Sequence, residues 1–448
     1  MQTSHDRLTA VSLFSSSGIG DLALRAAGAD VLVANEFVPE RAALFSVNFP
    51  DADVLVGDIR DLGDRIVHSV KERLVDRELD VMFATPPCQG MSKNGRGKLL
   101  RGVRDGLRDL IDPRNQLATF VPPLVMTLRP RIVVFENVPE MDGTLVLDDE
   151  GNLIELLNFL SDSMVGYHGI WRTIEFADYG VPQRRQRLIT IFIRDDVHAK
   201  MVNFDSEFSM TKLFPEPTHA VKPNMFQAAW VTVNEVISDL PSLDASTKEM
   251  SRSEIPFHYV PVLDEKKHWW ISHTPLSASA FDNQCVNENC LFDGNVAHGT
   301  SRNASGINQA KKDTPLYCQK CRSLLPRPSA IDRSTGELRI MKGFTSAYKR
   351  MSGDQPASAI TTNLSYVCSD KKIHPSQHRA LSLYEAMLLH TVSDYEWSWI
   401  LPNGKRAKDG LIRDSLGESI PPRGLETIFR QIFRLDLCSI DKVLNRTA

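Results

Sequence analysis

Leu8-Thr9-Ala10-Val11-Ser12-Leu13-Phe14, followed at once by Ser15-Ser16-Ser17-Gly18-Ile19-Gly20, is the stretch whose reading decides the fold. A β-rich apolar run stops at a turn of small residues, and residues 21–27 then carry a helical pattern closed by Gly28. Strand, small-residue turn and helix open an α/β unit. The pattern recurs: residues 31–34 read as a strand, 39–48 as a helix and 54–56 as a short strand. Val81-Met82-Phe83-Ala84 and Ile132-Val133-Val134-Phe135 are uninterrupted apolar runs, and residues 188–193 add another. Strands buried on both faces look like this, and their alternation with helices predicts a mostly parallel sheet with helices on both faces over residues 1–200.

Beyond that block the character changes. Between about residues 202 and 371 the periodicity weakens, Pro, Ser and Asn increase, and four of the seven cysteines cluster. Residues 201–372 are therefore expected to form a smaller, loop-rich domain. Helical patterns return at 381–390 and 425–433, so residues 373–448 are expected to rejoin the first domain. A length of 448 residues fits two or three domains. No run of about 18 apolar residues suggests a membrane span, and the N-terminal residues lack a signal-peptide core, so a cytoplasmic protein is expected. An odd number of cysteines, seven, points to thiols used for metal binding or catalysis rather than bridges. The formal net charge of -4 argues at face value against a nucleic-acid partner. By segment the picture reverses. Residues 93–108 hold six Lys/Arg and one acid, and residues 301–350 hold eleven against three. Two basic segments on an acidic body suit a protein that grips DNA on one face.

Several short patterns carry chemistry. The 14–20 turn lets a ligand approach the backbone at a helix start, and Glu36, at the end of the second strand, can accept hydrogen bonds from ribose hydroxyls. Asp58, in Gly57-Asp58-Ile59, faces the same crevice. Alone these indicate an adenosine-containing cofactor, either a dinucleotide or S-adenosylmethionine (AdoMet). The missing third glycine turns the reading away from NAD. Thr85-Pro86-Pro87-Cys88-Gln89-Gly90 puts a thiol on a stiff loop after the fourth strand, where a nucleophile is well placed. Phe135-Glu136-Asn137-Val138 brings a carboxylate to the same sheet edge. In Gln183-Arg184-Arg185-Gln186-Arg187, alternation sends Arg185 and Arg187 to one face and Arg184 to the other. Cys285-x4-Cys290 and Cys318-x2-Cys321 are two knuckle-like pairs suited to tetrahedral zinc in a ribbon over 285–321, with His298 an alternative ligand. Cys368 and Cys438 are assigned to packing.

In this order the blocks resemble the DNA (cytosine-5) methyltransferases: Phe14 to Gly18, Glu36, Asp58, Pro86-Pro87-Cys88-Gln89, Asp112-x-Arg114-Asn115-x-Leu117, Glu136-Asn137-Val138, Gln183-x-Arg185-x-Arg187 and Arg379-x-Leu381-Ser382-x-x-Glu385-Ala386. The resemblance covers residues 8–195 and 347–433, where Tyr348-Lys349-Arg350-Met351, Gln355-Pro356-Ala357 and Ile360-Thr361-Thr362 look like the return from the family's target-recognition domain. It departs at Ser12, where an aspartate is usual, at Ser16, where a glycine is usual, and at Gly417-Glu418, where Gly-Asn is frequent.

The resemblance implies an AdoMet-dependent Rossmann-like fold and site-specific methylation of cytosine C5 in double-stranded DNA. It places the protein in a bacterial restriction-modification or phage-defence system, acting as a monomer with a cognate restriction or defence component as partner. Methylation of a tRNA cytosine, or a catalytically silent DNA-binding protein, are the alternatives. Cys88 would attack C6, Glu136 would hold the base at N3 and its amino group, Arg185 would hold O2, and Arg187 would support Glu136 or the Cys loop. Phe14, Ser15, Gly18, Glu36, Asp58, Ile59, Pro87, Glu418 and Ser419 would line the cofactor. Zn2+ at Cys285, Cys290, Cys318 and Cys321 would staple the recognition domain.

Overall fold

The computed structural model describes residues 7–87, 112–148, 150–302, 308–311, 313–341 and 346–446. Seven strands form the central sheet. In chain order, β1 (Leu8–Leu13), β2 (Ala29–Glu36), β3 (Asp53–Val56), β4 (Val81–Ala84) and β5 (Ile132–Asn137) are mutually parallel. A small hairpin, β6 (Leu145–Leu147) with β7 (Leu153–Glu155), precedes the edge strand β8 (Tyr167–Glu175). After the two-residue β9 (Gln183–Arg184), β10 (Gln186–Arg194) inserts between β5 and β8, antiparallel to both. The order is β3-β2-β1-β4-β5-β10-β8, so the expected mostly parallel α/β sheet is present with one reversed strand. The reversal follows from the connection: β8 and β10 are joined by a tight segment, too short for the crossover helix a parallel pair needs.

Period-two alternation divides the strand side chains between two cores. Val11 and Leu13 of β1 face α3 (Ile59–Leu74), α4 (Val121–Leu128) and α5 (Leu156–Ser163), whereas Ala10 faces the other side. In α3, Ile59, Leu62, Ile66 and Val70 recur at helical spacing and form the stripe that packs on Val33 and Met82. The opposite face is covered by α1 (Asp21–Ala27), α2 (Pro39–Asn48) and α6 (Asp195–Phe204). Burying a side chain such as Phe83 or Phe135, both at 1% exposure or less, contributes roughly 1.5–3 kcal/mol.

The segment 201–372 is anchored to the sheet at both ends. Leu213, Phe214 and α7 (Val233–Ile237) join the same core as α1, as do Met351, Ala357, Ile360 and Leu364 on the way back. Between them lies a separate core of Trp270 and Ile271 from α8 (Glu265–Ser272) with Phe281, Tyr348 and Ile373. Short two-stranded pairs complete it: β11 (His219–Ala220) with β12 (Ala228–Ala229), β13 (Thr300–Arg302) with β14 (Asn308–Ala310), and β15 (Ser329–Ile331) with β16 (Leu338–Ile340). β17 (Ala357–Ser358) then pairs with β9.

The chain closes with α9 (Leu383–Leu389), α10 (Asp409–Glu418) and α11 (Pro422–Arg446). Ser382 and Glu385 form a capping box at α9, and Glu385 takes a buried 2.7 Å ion pair from Arg379. Phe429 of α11 meets Phe83 edge-on, with ring centroids 5.4 Å apart. Arg131 bridges Asp80 and Asp436, tying α11 to the start of β5. Among the described residues no helix is long and apolar enough to cross a membrane.

Candidate active site

At the carboxyl edge of the sheet the backbone tightens. Phe14, Ser16 and Gly18 take positive φ angles of 59°, 50° and 93° within five residues. Gly18 is required there, since a Cβ would lie 2.8 Å from both Phe45 and Phe49. The turn is fastened to β2: Ser15 N–H donates to Asn35 O at 2.9 Å, and Ser16 N–H donates to Glu36 Oε2 at 2.8 Å. Glu36 also accepts Val38 N–H at 2.8 Å through Oε1. Burial raises its carboxyl above the ordinary range, opposed by those donors and by Arg41. Asp58 ends the β3 edge, caps α3 at Ile59 by accepting Arg60 N–H at 3.0 Å, and pairs with the Arg60 guanidinium.

The neighbouring loop is anchored on two sides. Thr85 Oγ1 donates to Phe14 O at 2.9 Å, and Asn137 Nδ2 donates to Pro86 O at 3.1 Å. These clamps fix the Pro86-Pro87 stub between β1 and β5. Cys88 and the basic loop 93–108 lie outside the described residues. Asn137 follows Glu136 directly in the strand-end block, and its side-chain amide contact, between residues 51 positions apart, gives no signal in the sequence.

Glu136, at the end of β5, is buried at 7% exposure and pairs with Arg187 Nε at 2.7 Å. The register that sets Leu188 opposite Asn137 and Ile189 opposite Glu136 makes Arg187 its diagonal neighbour. Burial raises the Glu136 carboxyl, against the lowering pull of Arg187 and Arg185. Arg184 is exposed and lies over the Trp230 ring at 5.1 Å. Arg185 points inward: its guanidinium donates to Ile360 O at 2.8 Å and to Gly417 O at 2.9 Å, and the residue is only 2% exposed. Two of its donor nitrogens are thus engaged with main-chain carbonyls.

The α10–α11 turn completes the rim. Glu418 pairs with Arg41 at 2.7 Å, and Ser419 Oγ lies 2.9 Å from His390 Nε2. Arg41 sits in the first turn of α2, just after Glu36, so the 14–18 turn, Glu36 and Glu418 are brought together.

Far along the chain, the four cysteines converge. The Sγ atoms of Cys285, Cys290, Cys318 and Cys321 all lie within 4.8 Å of one another, with Cys285–Cys321 at 3.5 Å and Cys290–Cys318 at 3.9 Å. Thiolates at a tetrahedral zinc with bonds of about 2.3 Å sit about 3.8 Å apart, so the set fits. Backbone N–H groups of Asn287, Phe292, Cys321 and Ser323 donate to the sulfurs. The two knuckles are alike: Cys285 N–H donates to Phe292 O and Cys318 N–H to Ser323 O, while Leu291 and Arg322, each just after the second cysteine, are left-handed. His298 is not in the set; it hydrogen-bonds Thr314 at 2.8 Å and stacks on Phe281. Cys368 is exposed, so its assignment to packing is corrected. The Cys438 side chain lies outside the described ones.

A profile for the C-5 cytosine-specific DNA methylases matches residues 8–434. The chain belongs to that family. It is 30% identical over 433 residues to the type II methyltransferase M1.HgaI of Avibacterium volantium, covering 94% of this chain and 97% of that one. It is 24% identical over 429 residues to M1.HphI of Haemophilus parahaemolyticus, covering 96% and 87%. A prophage-encoded DNA modification methyltransferase of E. coli shares the fold at a TM-score of 0.51 and 19% identity, over 96% of this chain and 99% of that one. Family membership implies AdoMet as methyl donor and DNA as substrate. The turn fits a polar ligand: the Ser16 and Ser17 hydroxyls are buried without a protein partner among the described residues.

Proposed function

We propose that this protein is a site-specific DNA cytosine-5 methyltransferase of a bacterial restriction-modification system, working as a monomer beside a cognate restriction component. The observation that carries this reading is the Glu136–Arg187 ion pair, set beside the anchored Pro86-Pro87 stub that leads into Cys88. The names of the relatives, type II methyltransferases alike over most of the chain, support the restriction-modification setting.

Cytosine C5 is a poor nucleophile, and covalent catalysis corrects this. The Cys88 thiolate bonds to C6, and the ring electrons move to give an enamine at C5. Glu136, whose carboxyl burial pushes toward the protonated form, shares a proton with N3 and holds the exocyclic amine. Arg187 orients Glu136. With its side chain 15% exposed, it is also the guanidinium open to cytosine O2, while Arg185 supports the strand from below. AdoMet, when bound, supplies the electrophilic methyl group to C5. Phe14, Ser15, Gly18, Glu36, Asp58, Ile59, Pro87, Glu418 and Ser419 would hold it. A base then removes the C5 proton and Cys88 leaves by elimination. Because C6 lies inside the stacked duplex, the cytosine must be flipped out, at a cost of about a few kcal/mol. The cationic 93–108 loop would contact phosphates there.

We also assign the Cys285, Cys290, Cys318 and Cys321 cluster to a structural Zn2+ in the recognition domain.

Bisulfite sequencing of DNA from cells expressing the protein is expected to show one sequence motif methylated at cytosine, and none in cells expressing Cys88→Ala. Label transfer from AdoMet to tRNA but not to duplex DNA, or full methylation by Cys88→Ala, overturns the reading.

A further inference from the structure

Beneath the proposed base and cofactor sites runs a chain of buried polar bonds in which His390 is the middle member. His390 is 0% exposed and follows α9 directly. Its Nδ1 lies 3.1 Å from Gln183 Nε2, and its Nε2 lies 2.9 Å from Ser419 Oγ. The orientation of the Gln183 amide is settled by two other partners: Oε1 accepts Ile360 N–H at 2.9 Å, and Nε2 donates to Leu389 O at 3.3 Å. An amide nitrogen only donates, so Nδ1 of His390 must accept, and the ring proton belongs on Nε2. Nε2–H therefore donates to Ser419 Oγ, whose own hydrogen is directed to Leu416 O at 3.3 Å. Burial, with Arg185 and Arg187 nearby and opposed only by the backbone of Ile420, holds the imidazole well below its ordinary pKa, so the ring stays neutral.

A second tie runs in parallel. Arg185 donates to Ile360 O and Gly417 O, so both polar groups of the Ile360 peptide are held by the Gln183–Arg185 segment. Gly417 is packed so closely that a Cβ would lie 2.2 Å from Thr362 N. Three elements meet here: the strand carrying Arg187, the return of the recognition domain at Ile360, and the turn carrying Glu418 and Ser419.

We propose that His390 is a positioning residue that locks the Gly417–Ser419 turn to the Gln183–Arg187 strand, so that filling the cofactor site and filling the base site reinforce each other. The inference rests on the function proposed above. Only a neutral ring in one tautomer can accept from Gln183 and donate to Ser419 at once.

The test measures the affinity of S-adenosylhomocysteine with and without cognate duplex, and of duplex with and without S-adenosylhomocysteine. In the wild-type protein each ligand is expected to tighten the other by the same factor, roughly five- to tenfold. In His390→Leu, which keeps volume but removes both bonds, the factor is expected to fall below about twofold. His390→Gln, able to accept and donate along the same line, is expected to restore most of it. If His390→Leu does not fold, Ser419→Ala, which cuts only the cofactor-side bond, carries the test with the same expected loss. Wild-type coupling retained in whichever of His390→Leu and Ser419→Ala carries the test, or no coupling in the wild type, overturns the proposal. A wild-type protein that binds neither ligand overturns the proposed function instead.

Discussion

The sheet edge and the four-cysteine module solve the same problem, holding reactive or polar side chains still, by opposite means. Around Glu136 the surroundings are a large apolar core: Phe135, Val134, Ile189 and Ile191 are all at 0% exposure. That core can bear a buried ion pair because Glu136 and Arg187 offset one another. Around the cysteines the fully formed core is Leu325 with the sulfurs themselves. Order there rests on polar bonds. Arg327, 0% exposed, donates to the carbonyls of Asn283, Val296 and Pro315, and burial pushes its guanidinium down to about 10. A region that buries little apolar surface cannot offset chain entropy alone, and a metal or a buried arginine must substitute.

Three experiments bear on that contrast. The largest effect is expected from metal removal. One equivalent of zinc per chain should be found by elemental analysis, and structural zinc of this kind contributes on the order of 10 kcal/mol to folding. Chelation, or Cys290→Ser with Cys321→Ser, should abolish DNA binding while S-adenosylhomocysteine binding persists. Equal loss of both ligands would mean the two regions fold as one. Next, Arg187→Leu leaves the Glu136 carboxylate buried without its 2.7 Å partner. It should cost about 3–5 kcal/mol in chemical denaturation and stop methyl transfer. Glu136→Gln alongside should recover much of the stability but not the activity.

The effect that is smallest at any single pH step concerns Asp21, which is 1% exposed at the start of α1 and whose carboxyl burial raises from 3.8 to about 7. Between pH 4 and 7 the folded protein holds a proton that the unfolded chain has released. Stability should therefore fall as pH rises through this window, by at most about 1.4 kcal/mol per pH unit. Asp21→Asn should remove that contribution, measured as denaturation midpoints at pH 5, 6, 7 and 8. An unchanged slope would show that Asp21 is not the titrating group.

The strands buried on both faces, β1, β4 and β5, were legible from their apolar runs, unbroken in β4 and over residues 132–135 of β5 and interrupted in β1 by Thr9 and Ser12 alone. β8 was not, since an edge strand with exposed His168, Gly169 and Trp171 has no apolar run to read. Glu136 was legible from a short block at a strand end. The inward turn of Arg185 was not, because its partners, Ile360 and Gly417, lie 175 and 232 residues away. His390 carried no signal for the same reason: Gln183 is 207 residues distant. Arg327 stood within a basic run that read as a DNA-facing surface, yet it is buried.

The order of the chemistry-bearing residues and the α/β class were determined by the sequence itself. Both depend on local periodicity and on residue types at strand ends, which neighbouring residues are enough to impose. Only the tertiary structure decided that Arg187 lies against Glu136 while Arg185 turns inward, that His298 stands apart from the four cysteines, and that Glu418 pairs with Arg41. Those choices depend on which side chain reaches a given donor or acceptor first. Chain packing settles that over separations of hundreds of residues, where spacing in the sequence carries no information.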